Sequence, residues 1–118
     1  MSRSRAAARQ AIANLADATV QLRRRLEINE GLLTRALESI DAGMTIKETI
    51  AAIPSFEERR AAEESMQHLY AVRREVRETV IAAAIEEGMT VPEIATAYGI
   101  PVERAADYLA AAADLHAE

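Results

Sequence analysis

The sequence predicts an all-α protein, and three observations carry that prediction. Alanine, leucine, glutamate and arginine dominate a chain of 118 residues that holds only four glycines and three prolines. The dominant types are strong helix formers, whereas glycine and proline interrupt helices. Two long stretches, about Ala6 to Ala42 and Phe56 to Glu87, place apolar residues at helical spacing, and the only breaker in either is Gly31. Between and after them lie short segments bounded by capping signals. The expected organisation is a basic N-terminal arm and long dimerisation helix over 1–42. A short helix plus a second long helix follow over 43–87, and two helices joined by a tight turn, with a tail, over 88–118.

The chain opens on Arg3, Arg5 and Arg9, read as a basic arm frayed at its start: candidate phosphate contacts, or a solvated tail. From Ala6 onward, writing Ile12 as heptad position a places Ile12, Leu15, Thr19, Leu22, Leu26, Asn29, Leu33, Ala36 and Ile40 at successive a and d sites. This coiled-coil-like row predicts a homodimer through Ile12, Leu15, Leu22, Leu26, Leu33 and Ile40, with Asn29 fixing register. In a parallel pair, Arg25 at g would meet Glu30 at the following e. An unbroken helix here would be about 55 Å long, against about 35 Å for a compact domain of this size. It therefore protrudes toward a partner or bends near Gly31, and a two-helix hairpin inside a monomer is the other reading. Arg23, Arg24 and Arg25 are read as a solvated face pairing with Glu27 and Glu30, or as phosphate contacts.

Gly43-Met44-Thr45-Ile46-Lys47-Glu48 begins a short helix, and Gly88-Met89-Thr90-Val91-Pro92-Glu93 repeats its Gly, Met, Thr and Glu at an offset of 45 residues. This reads as a degenerate internal repeat, or as two similar capping signals arising separately. The first copy has Pro54 where the second has Gly99. Ser55 with Glu58 forms a capping box that opens the second long helix. Met66, Leu69, Val72, Val76, Val80 and Ala83 form its apolar stripe, read as core.

Gly88 reads as the left-handed residue ending that helix. Thr90 and Glu93 make a capping box, with Pro92 in the first turn where no amide is needed. Gly99 stops this helix after about two turns, and another runs from about Val102 through Leu109.

The layout resembles the helix-turn-helix of bacterial and phage regulators. That family carries a small residue midway along the first helix and a glycine four residues later, with apolar residues on both flanks. Ala95 and Gly99 fall on the first two positions, and Ile94, Tyr98, Ile100, Ala105 and Tyr108 or Leu109 on the apolar ones. The resemblance covers about residues 88–110 and implies double-stranded DNA as partner. The helix beginning at Val102 would then enter the major groove. Arg104 would pair with guanine, Glu103 or Asp107 would accept from cytosine N4, and Val102 would touch a thymine methyl.

Charge divides the chain. Residues 1–35 carry a net +4 and residues 36–118 a net −9, for a total of −5. An acidic body with a basic start fits an arm that meets phosphate, or subunits whose arms and bodies attract each other. It also supports the alternative function, a non-catalytic helical interaction module that binds a protein partner.

The remaining expectations are absences. The serines lie in caps and tails, and His68 and His116 have no evident partners, so no catalytic constellation forms and no enzyme is expected. Glu64 and His68, one turn apart, lack further ligands, so neither a metal nor another cofactor is implied. The chain has no cysteine, no secretory signal and no apolar run of the roughly 18 residues a membrane span needs. The expectation is a cytoplasmic protein with no membrane partner.

Overall fold

The computed structural model describes residues 2–53 and 55–116 and contains five helices and no strand among them. They are α1 (Arg3–Asp41), α2 (Ile46–Ala52), α3 (Ser55–Glu86), α4 (Val91–Tyr98) and α5 (Val102–His116). Pro54 and the side chains of Ser55, Ala112, Asp114, Leu115 and His116 lie outside what is described, and with them the capping box at Ser55. No helix among the described residues is long and apolar enough to cross a membrane.

Two helix boundaries differ from the sequence reading. α1 begins at Arg3, because Ser2 caps it: the Arg5 amide donates to Ser2 Oγ at 3.1 Å and the Ala6 amide to the Ser2 carbonyl at 3.0 Å. Arg3, Arg5 and Arg9 therefore stand on a helix rather than in a frayed arm. α1 also passes through Gly31 without a break, since one glycine costs only about 1 kcal/mol in a helix interior and leucines follow it directly. α5 outruns its expected end at Leu109, carried by the alanine run after it.

The chain divides into two compact units, Met1–Leu15 with Ala71–Glu118, and Ala16–Tyr70. In the first, Ile81 of α3, Ile94 and Ala95 of α4 and Ala105 of α5 form the buried core. Ala8 and Ala11 of α1 are buried as well, and Arg5 reaches Glu87 at 2.7 Å, bringing the start of α1 beside the end of α3.

In the second unit, the buried residues among those described are Ala18, Thr49 and Ile53. The Thr49 hydroxyl donates to the Thr45 carbonyl at 2.9 Å, which removes the cost of burying it. Arg25 approaches Glu58 of α3 at 3.4 Å, so within the chain it is engaged there rather than with Glu30.

The heptad row of α1 splits between two environments. The d positions Leu15, Leu22, Asn29 and Ala36 are half-buried, and so is Leu32 at g, while Ala11 and Ala18 at g are fully buried. The a positions Ile12, Leu26, Leu33 and Ile40 are exposed. Small alanines allow close approach on the d/g side, so α1 turns that side inward. Of the six expected dimer residues, Leu15 and Leu22 are thus partly occupied within the chain.

The two Gly-Met-Thr segments share their hydrogen bonds as well as their letters. The Gly43 amide donates to the Ile40 carbonyl and Met44 to Ser39, each at 3.0 Å. At the same offset, Gly88 donates to Ile85 at 3.0 Å and Met89 to Ala84 at 2.9 Å. Each pair is a Schellman closure, with the glycine at φ 99° or 105°. Each threonine then accepts from the amide of its glutamate, Glu48 at 3.1 Å and Glu93 at 3.3 Å.

Candidate nucleic-acid interface

The motif at the C-terminal end is assembled by three local devices. Thr90 and Glu93 close a reciprocal capping box: the Glu93 amide donates to Thr90 Oγ1, and the Thr90 amide donates to Glu93 Oε1 at 3.1 Å. α4 then ends at Gly99, in the left-handed region at φ 64° and ψ 37°, where the Gly99 amide meets the Thr96 carbonyl and Ile100 meets Ala95. Finally, the Pro101 carbonyl accepts from the amides of Arg104 and Ala105, both at 3.1 Å, and starts α5. The turn is Gly99-Ile100-Pro101.

Packing holds the two helices in place. Ile94 and Ala95 face Ile81, and Ala105 enters from α5 at 1% exposure. Ala95 is small where α5 must approach, and Ile100, Tyr108 and Leu109 close the edges. Tyr98, expected among the apolar positions, is only partly covered, at 43% exposure.

A Cβ at Gly99 would meet nothing within 4 Å, so the cost of a side chain there is conformational rather than steric. Gly99→Ala is expected to destabilise by about 1–2 kcal/mol and Gly99→Asn by less, measured by urea unfolding.

One contact was not legible in the sequence. The Arg77 guanidinium lies 4.1 Å from the centroid of the Tyr108 ring, a cation–π arrangement joining α3 to α5. Arg77 Nε is buried without a hydrogen-bond partner. Nothing in the local pattern around Arg77 announces a partner 31 positions away (108 against 77).

Burial raises the Tyr98 phenol above its ordinary pKa of 10.0, and the nearby positive charge of Arg77 opposes that rise. A raised folded pKa means the proton is held more tightly in the native state. The associated stability is present below pH 10 and is lost as pH climbs from there through the folded value. A pH series of urea unfolding for the wild type and Tyr98→Phe is expected to diverge only in that alkaline window.

The expected reader residues Val102, Glu103, Arg104 and Asp107 are all exposed on α5. Arg104 is the single cation among them. Arg3 and Arg9 are exposed on α1, while Arg5 is committed to Glu87 at the α3–α4 turn. Among the described residues no group of three or more His, Asp and Glu side chains is placed to hold a metal. Comparison with family models, curated proteins and solved structures gave no match to this chain.

Proposed function

We propose that the protein is a dimeric helix-turn-helix DNA-binding protein of the regulator type, with α5 as the helix that enters the major groove. The observation that carries this reading is the left-handed Gly99 turn, together with Ile94, Ala95 and Ala105 in one buried cluster with Ile81. That packing leaves Val102, Glu103, Arg104 and Asp107 free at the start of α5, where a groove-reading helix carries its base contacts. Arg3 and Arg9 supply exposed positive charge for phosphate.

The test is fluorescence anisotropy on pooled random duplex DNA at low and moderate salt. Binding that weakens with salt, and weakens further in Arg3→Ala/Arg9→Ala, supports the reading. Binding that is absent or indifferent to salt overturns it. Point changes serve better than truncation, since Ala8 is buried.

Glu87→Gln gives an independent check. The pair with Arg5 is exposed on both sides, so its loss costs only about 0.2–1 kcal/mol of stability. Freed from Glu87, Arg5 is expected to strengthen duplex binding and steepen its salt dependence.

A second reading is favoured by charge. The motif carries Glu93, Glu103 and Asp107 against the single cation Arg104, and Glu86 and Glu87 precede it in the chain. An acidic surface of this kind suits a helical interaction module engaging a basic protein partner, which predicts no DNA binding under any salt condition.

A further inference from the structure

We infer that a second copy of this chain docks antiparallel along the C-terminal half of α1, on the row Leu26, Leu33, Leu37 and Ile40. The inference takes the dimer from the reading above, names its surface and direction, and does not depend on DNA binding.

The row lies within the unit Ala16–Tyr70 and is open: Leu33 is 58% and Leu37 63% exposed, with Leu26 and Ile40 exposed beside them. Their spacing of three, four and seven residues puts them on one helix face. Met44, Ile46 and Ile50 add exposed apolar side chains after the turn. The same unit fully buries only Ala18, Thr49 and Ile53 among its described residues, so its other large apolar side chains are exposed or half-buried.

At the offset of 45 residues, Ile40, Met44, Ile46 and Ile50 match Ile85, Met89, Val91 and Ala95, which pack in the core of the first unit, whereas Leu33 and Leu37 copy no such contact. In the first unit, Val80 and Ala83 line a groove with Ala8 and Ile12 of α1. Their counterparts are Arg35 and Glu38, which are exposed and charged. Leu33 and Leu37 correspond instead to Glu78 and Ala82. The groove residues Val80 and Ala83 are thus replaced by charged ones, and Leu33 and Leu37 put large apolar side chains where the first unit carries Glu78 and Ala82.

Charge selects the occupant and its direction. Arg23 flanks the row at one end and Asp41 at the other, on the same side of the helix. Arg23 meets Glu27 at 3.9 Å, and among the described residues Asp41 forms no ion pair within the chain. The two are about 27 Å apart along the helix, more than three times the Debye length of about 8 Å, so they do not neutralise each other. A parallel copy would set Arg23 against Arg23. An antiparallel copy sets each basic end on an acidic end, twice, as an isologous interface requires.

Because the chain has no cysteine, single substitutions report the geometry directly. Leu26→Cys, Leu37→Cys and Ile40→Cys would each be oxidised alone and in mixtures, using the full chain without DNA. Disulfide dimers are expected when Leu26→Cys is mixed with Leu37→Cys or Ile40→Cys, but not from Leu26→Cys alone. In the antiparallel pair the two copies of position 26 lie about 20 Å apart along the axis, beyond the roughly 7 Å a disulfide spans. Light scattering is expected to give twice the chain mass of 12.9 kDa, falling to that mass in Leu33→Glu with helical circular dichroism retained. Crosslinking of Leu26→Cys with itself, a monomeric wild type at tens of micromolar, or a dimeric Leu33→Glu would each overturn the inference. DNA binding has its own titration, so failure of one reading is distinguishable from failure of the other.

Discussion

Ile81→Ala is expected to remove about 2–5 kcal/mol of stability, the cost of deleting buried methyl and methylene groups and leaving the space behind. Ile81 is 0% exposed and is the α3 member of the cluster that joins α4 and α5, so the loss falls on the whole motif at once. Domains of this size are stable by about 5–15 kcal/mol, so the change takes a large fraction of the total. Urea unfolding followed by far-ultraviolet circular dichroism measures it, and Leu37→Ala is the control. That side chain is nearly as large but exposed, and at concentrations where the chain is monomeric its loss is expected to stay within about 0.5 kcal/mol. Equal losses in the two variants would mean that the burial described for Ile81 does not organise this unit.

Local signals made the helices legible. Thr90 with Glu93, and glycines at 43, 88 and 99, act through bonds between residues only a few positions apart, so sequence spacing and structure agree there. The start of α1 was less legible because Ser2 reads equally well as part of a tail or as a cap. The inward face of α1 was legible only in part. A heptad row fixes which residues share a face but not which flank a neighbouring helix will take. That choice depended on Ala11 and Ala18, which a search for large apolar residues passes over.

The candidate site divides in the same way. The Gly99 turn and the buried positions Ala95 and Ala105 followed from spacing. Exposure of Val102, Glu103, Arg104 and Asp107 followed from the same periodicity, since those residues lie off the buried face of α5. The pairing of Arg5 with Glu87 and the stacking of Arg77 on Tyr108 did not, because both join residues far apart in the chain. The first of these matters for function: an arginine read as a free phosphate contact begins in competition with a carboxylate.

Arg104→Ala is expected to weaken duplex binding about 5- to 150-fold, the range of one bidentate arginine contact to guanine, and to relax preference at one base position. Glu103 and Asp107 make the experiment sharper, because two roles for them predict different results. As readers of cytosine N4, they contribute selectively, so Glu103→Gln or Asp107→Asn would lower affinity for the preferred sequence relative to others. As acids facing a polyanion, they oppose binding everywhere, so the same changes would raise affinity uniformly and steepen the salt dependence. Titrating the wild type and these variants against a selected duplex and a scrambled one, at two salt concentrations, separates the roles. Uniform strengthening would mean that α5 contacts DNA through shape and Arg104 alone. If all four proteins ignore DNA at low salt, the acidic face of α5 has no phosphate to avoid, and the interaction module becomes the reading that its charge supports.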